Sequence, residues 1–244
     1  LGVSSLENVD PHLKESHLPI KLVKKFMSWS YSRYHDYAGC PLFAQLKYLL
    51  KVDDGSSNSK PLLHGSKVHE EADQYLISKK TKLTENLARF PDEFADLRTR
   101  KGLVTGRAAS LAVDKYWKPC RDDDWDHAWL RAKFDAAYLD DGRLVVIDFK
   151  TGRIRPEQVD QLEIYACVGL AHHPEVSAVE AHFWYLEQGE IVSRIYGAGE
   201  IPALRLAWEK RAGKMLGDGT FKPAPGDKCR WCNYGAGKLG RCKF

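Results

Sequence analysis

Phe134-Asp135-Ala136-Ala137-Tyr138-Leu139-Asp140-Asp141-Gly142-Arg143-Leu144-Val145-Val146-Ile147-Asp148-Phe149-Lys150-Thr151-Gly152 is the stretch that decides the fold of this chain. Asp140-Asp141-Gly142 is a hairpin signal between two runs rich in apolar residues, so the stretch predicts two strands and a turn. Asp135 then lies on the incoming strand and Asp148 near the end of the outgoing one. The second strand is apolar from Leu144 to Ile147 and then places Asp148 and Lys150 two residues apart, which the two-residue period of a strand points to one face. Two carboxylates and one ammonium thereby converge. Two carboxylates suit a hard divalent cation such as Mg²⁺, and a neighbouring lysine can orient a water or stabilise a phosphate oxygen. Taken alone, the D-x-K triplet is more simply a solvent-facing ion pair at a strand end.

Working outward, Gly65-Ser66-Lys67-Val68-His69 falls on a helix predicted over 63–78, where Val68, Ala72, Tyr75 and Leu76 recur at helical spacing with His69 beside them. Gly65 would let that helix approach another backbone closely. Downstream of the hairpin, Pro156 opens a mostly buried helix running to about residue 172, on which Gln161 and Tyr165 stand one turn apart and share a face. Strands over 178–186 and 191–196 and a helix over 201–216 complete a mixed sheet flanked by helices. The tail is broken by proline and glycine and carries Cys229-Arg230-Trp231-Cys232 and Cys242, a spacing that suits metal ligation and needs one distant thiol as a fourth ligand.

The order of these motifs resembles the PD-(D/E)xK nuclease superfamily, in the sub-pattern of RecB-type exonucleases and of CRISPR-adaptation and AddB-type nucleases. Asp135, Asp148 and Lys150 resemble its core, Gly65 to His69 its G-x-x-x-H helix, Gln161 to Tyr165 its Q-x-x-x-Y helix, and Lys150-Thr151-Gly152 its K-T-G continuation. Ala132 stands where that family usually has a glycine. The resemblance implies an α/β (α+β), restriction-endonuclease-like fold. It also implies a metal-dependent DNA exonuclease serving DNA repair, recombination, phage DNA processing or CRISPR adaptation. His69, Asp135, Asp148 and the backbone carbonyl of Phe149 would hold Mg²⁺ or Mn²⁺, Lys150 would orient the attacking water, and Gln161 and Tyr165 would position Lys150 or the phosphate. Cys40, with Cys229, Cys232 and Cys242, would hold a [4Fe-4S] cluster; a structural zinc is the alternative. The span from Cys232 to Cys242 is longer than that pattern leads one to expect.

On this reading the chain divides into an N-terminal helical region (1–83), a nuclease core (84–216) and a cysteine-rich tail (217–244). The tail is tied to the N-terminal helices by the metal cluster, and the whole forms one catalytic domain. A chain of 244 residues that is 43% hydrophobic supports a sizeable core. The 37 basic and 33 acidic residues leave a net charge of +4, which permits a polyanionic partner without demanding one. No apolar run approaches the roughly 20 residues of a membrane span, so the expectation is a soluble, cytoplasmic protein with no membrane partner. DNA, single-stranded or end-frayed, is the expected substrate; with no helicase motif in the chain, unwinding would fall to a helicase or recombination partner.

Other stretches carry weaker signals. The segment 30–37 interleaves Tyr31, Arg33, Tyr34, His35 and Tyr37, which reads equally as a nucleic-acid contact and as a helix packing its aromatic face on the core. Arg153 and Arg155 could meet phosphates or end as solvated side chains. Asp122-Asp123-Asp124 reads as a solvated loop. One strand is predicted over 128–138 and another within 106–117. Cys120 and Cys167 stand apart from the other four cysteines, Cys167 as a buried thiol.

Overall fold

The computed structural model describes residues 25–78 and 81–244; the polar run 1–19 and part of the basic start of 21–29 lie outside the described residues. Helices α1 (Tyr31–Gly39), α2 (Pro41–Ala44, continued by a π-helical turn, Gln45–Leu49), α3 (Lys60–Ile77) and α4 (Pro91–Leu97) come first. Strands β1 (Val104–Thr105), β2 (Ser110–Val113), β3 (Pro119–Cys120), β4 (Leu130–Lys133), β5 (Ala136–Asp140) and β6 (Arg143–Lys150) follow. Helix α5 (Asp160–His172), strands β7 (Ala178–Tyr185) and β8 (Glu190–Gly197) and helix α6 (Ile201–Gly217) complete the regular elements.

The hairpin forms as its sequence requires. Asp141 and Gly142 both take positive φ, 44° and 71°, the primed geometry that matches the twist of antiparallel strands. Strand β6 sits in the middle of a five-stranded mixed sheet of order β1-β5-β6-β7-β8, antiparallel to β5 and parallel to β7. A parallel neighbour needs a crossover, which α5 supplies. With a partner on each edge and helices on both faces, β6 tolerates an unbroken apolar run.

Alternation along β6 feeds two cores. Leu144 and Val146 join α5, α6 and the small sheet β3-β2-β4, whereas Val145, Ile147 and Phe149 join α3 and α4. Continuing that period puts Asp148 and Lys150 on the α5 side. Trp208 of α6 anchors the first core: it is fully buried, stacks on Trp29 at 5.8 Å and donates its indole N–H to Glu163 at 2.8 Å. Trp208→Ala is expected to cost about 3–5 kcal/mol, read as a lower midpoint of urea unfolding; an unchanged midpoint would show that α6 is not held through this contact.

The strand predicted over 128–138 is two strands in two sheets. Leu130–Lys133 pairs with β2, and Ala136–Asp140 pairs with β1 and β6. The chain changes sheets within one dipeptide: Phe134 donates its amide to Ala109, and Asp135 donates its amide to Ile147. The strand predicted within 106–117 is also shorter. Asp114 accepts the amides of Tyr116 and Lys118 on its side chain, closing a turn in which Trp117 takes a φ of 61°.

Candidate active site

The end of β6 delivers the chemistry. Asp148 is only 6% exposed, and its Oδ2 accepts hydrogen bonds from Lys150 Nζ at 2.8 Å and from the Tyr165 hydroxyl. Lys150 Nζ also donates to Gln161 Oε1 at 3.0 Å, and Gln161 in turn donates to the Tyr165 hydroxyl. Gln161 and Tyr165, one turn apart on α5, both reach the same β6 dyad. Burial above all raises the Asp148 carboxyl above its usual range; Lys150 opposes this, while the nearby charge of Asp135 adds to it. The Tyr165 hydroxyl, buried beside Asp148, is held well above its ordinary value.

Across the sheet switch, Asp135 accepts the Phe149 amide on Oδ2 at 2.7 Å and contacts His69 Nδ1 through Oδ1 at 2.8 Å. The carboxylate thus extends the β5–β6 ladder one step beyond the start of β5. In an extended strand the amide and carbonyl of one residue face the same neighbour, so the Phe149 carbonyl also faces Asp135. Helix α3 brings His69 in over Gly65, where an added Cβ would lie 3.2 Å from Thr151 Oγ1. Burial disfavours the protonated imidazole of His69, but the hydrogen bond and charge of Asp135, with Asp148 behind, outweigh it and raise its pKa.

His69, Asp135, Asp148, Lys150, Gln161 and Tyr165 all border one cavity of about 520 Å³. Two carboxylates, an imidazole and a strand-end carbonyl form a donor set suited to a hard divalent cation. As they stand, these donors are turned on one another, and no group of three His, Cys, Asp or Glu side chains among the described residues forms a ready cage for an ion. Glu70 borders an adjoining cavity with His69 and Asp135. Of the Asp122 to Asp124 run, Asp124 caps its own loop by accepting the His127 amide, while Asp122 reaches the main cavity. Arg131 and Lys133 also line that cavity and have no counterpart in the sequence-based expectation, because nothing in a strand read as one element marks which residues face the site. Arg153 is exposed and does not line it, and Arg155 borders a different cavity.

That second cavity, about 550 Å³, is bordered by Cys40, Cys229, Cys232 and Cys242 together. All four are free thiols. Cys120 and Cys167 lie elsewhere, Cys167 fully buried. Protein contacts also dock the tail: Tyr234 donates its hydroxyl to Val52 at 2.9 Å, Asn233 donates to Asp54, and the Tyr234 ring meets Phe43 edge-on.

No helix among the described residues is long and apolar enough to cross a membrane. Among solved structures, the chain is similar to that of SSO0001, at 14% identity and a TM-score of 0.46, with 86% of this chain and 85% of that one covered. It is also similar to a Eubacterium rectale protein provisionally named an exonuclease, at 14% identity and a TM-score of 0.49, covering 84% of this chain and 88% of that one. No curated protein sequence matches it. The family model described as the PD-(D/E)XK nuclease superfamily matches residues 28–236, so this chain, with its mixed sheet and its D-x-K strand end, belongs to that superfamily.

Proposed function

We propose that this chain is a metal-dependent deoxyribonuclease of the RecB type that shortens DNA from its ends. The observation that carries the reading is the convergence of Asp135, Asp148 and Lys150 on one cavity, with Lys150 held between Asp148 and Gln161. His69, Asp135, Asp148 and the Phe149 carbonyl would hold Mg²⁺ or Mn²⁺. Such an ion lowers the pKa of a bound water and neutralises charge on the phosphate. Lys150 keeps its ammonium directed by two acceptors and orients the water for in-line attack, leaving a 5′-phosphate. Gln161 fixes Lys150, and Tyr165 fixes the Asp148 oxygen that Lys150 shares. DNA repair, recombination, phage DNA processing and CRISPR adaptation are the settings this activity fits, in the cytoplasm, with a helicase or recombination partner supplying unwound ends.

The four thiols around one cavity support a [4Fe-4S] cluster joining the two ends of the chain. A single structural zinc, at about 2.3 Å from each sulfur, is the alternative for the same four thiols. A non-catalytic DNA-binding or assembly module would keep the fold without turnover, but every proposed catalytic position is filled. Digestion of end-labelled linear DNA and of covalently closed circles separates these readings. The expected result is loss of label from linear DNA with Mg²⁺ or Mn²⁺, intact circles, and no reaction in EDTA. DNA bound but left uncut under every metal would establish the passive module instead.

A further inference from the structure

The active-site cavity also carries basic side chains that the proposed hydrolysis does not use. Arg33 of α1 and Arg131 of β4 both line it, beside Lys133 and the first turn of α1. Their segments are stitched together, since Arg131 donates its amide to Trp29 at 3.0 Å. Neither guanidinium has a carboxylate partner among the described residues. Arg33 donates to the backbone and hydroxyl oxygens of Ser28, and Arg131 donates to the carbonyls of Asp122, Ala128 and Asp124. Burial and then the charge of Arg131 hold the Arg33 guanidinium below its usual pKa. Two half-buried like charges whose hydrogen bonds all go to neutral oxygens favour an anion between them, and Asp122, which also borders the cavity, meets Arg131 through its backbone carbonyl.

The Arg131 guanidinium also lies 4.5 Å from the centre of the Trp125 ring, and that residue is 75% exposed. An exposed indole held by an arginine that itself lines the cavity offers a stacking face for a base.

We propose that Arg33 and Arg131 form a phosphate subsite for a non-scissile phosphate of the DNA strand, with Trp125 stacking the attached base. The subsite rests on the nuclease reading and deepens it: it favours an unpaired strand, whose bases are free to turn onto Trp125, over the stacked interior of a duplex. Arg131 serves both halves, holding the phosphate and backing the indole. The fork geometry of two guanidiniums suits phosphate oxygens better than ammonium groups would.

The test is binding of a short fluorescent single-stranded oligonucleotide in EDTA, measured by anisotropy across a salt series, for wild type, Arg33→Gln, Arg33→Lys, Trp125→Ala and Trp125→Phe. Both positions lie off the structural core, and circular dichroism checks that each variant folds. Arg33→Gln is expected to weaken binding about 10-fold and to make the salt dependence shallower by about 0.7 in the log–log slope, as loss of one phosphate contact to a single strand should. Arg33→Lys should keep the slope. Trp125→Ala should weaken binding about 10-fold with the slope unchanged, and Trp125→Phe should restore most of it. Oligonucleotides with a 5′-phosphate or a 5′-hydroxyl tell whether a terminal or an internal phosphate occupies the subsite. Wild-type affinity and slope in folded Arg33→Gln would overturn the subsite while leaving the nuclease intact. Failure of the wild type to cleave any DNA would instead strike the nuclease reading.

Discussion

Asp148→Ala and Lys150→Ala are each expected to abolish DNA hydrolysis, a loss of about 10³-fold or more in turnover, of the size seen when a preorganised electrostatic group is removed. Asp148 is the hub of the buried network: its Oδ2 receives both Lys150 and Tyr165, and both bonds fall on that one oxygen. Removing the carboxylate takes away a proposed ligand and releases the lysine. Removing the ammonium leaves Asp148 and Gln161 without their shared donor. Because Asp148→Ala strands a buried hydroxyl, Asp148→Asn belongs beside it as a variant that keeps the shape. Release of end label over time, with circular dichroism to confirm folding, gives the answer. Cleavage near the wild-type rate by folded Lys150→Ala would remove the lysine from the chemistry. His69→Ala should be milder, raising the metal concentration needed rather than ending turnover, since two carboxylates remain.

The second large effect is expected at the cysteines. Protein purified without oxygen should be brown and carry about four irons per chain, as cysteine-ligated [4Fe-4S] centres do. Serine at Cys40, Cys229, Cys232 or Cys242 should remove the colour and lower the thermal midpoint, because the cluster closes a loop spanning most of the chain. Cys120→Ser and Cys167→Ser should keep the colour, although Cys167→Ser also buries a hydroxyl in the first core. The Tyr234, Asn233 and Phe43 contacts add to the hold of the cluster on the tail, so loss of the cluster should loosen the tail rather than unfold the sheet. A colourless protein with one zinc per chain would establish the alternative ligand set. Neither metal at stoichiometric level would leave the staple without support.

The elements with a strong local period are legible in the amino-acid sequence. Strand β6 announces itself by an apolar run with a turn before it and a charged end, and α3, α5 and α6 by apolar residues three and four apart. The D-x-K pair and the Gln161–Tyr165 pair are legible because one-face spacing survives folding. The break between β4 and β5 is not. Residues 128–138 carry no proline or glycine to mark a boundary, and the chain changes sheets there only because Ala109 and Ile147 offer acceptors from different layers. Arg131 is hidden for the same reason, as its place on the cavity wall depends on that switch. The shortened strand before Trp117 turns on the side chain of Asp114 competing for backbone amides, an outcome that propensity does not encode. The place of Cys40 beside the tail is likewise tertiary, with the Ala224 amide donating to its sulfur, and is not set by any spacing.

Binding of a hard divalent cation in this cavity is the property on which the proposed chemistry depends most directly. Titration of Mn²⁺ into the protein, with free Mn²⁺ read by electron paramagnetic resonance, measures that without reference to turnover. Wild type should take up Mn²⁺ at a site that the Asp135→Asn/Asp148→Asn double variant lacks, while Lys150→Ala should retain it. Equal uptake by the folded double variant would place the metal elsewhere and contradict the site.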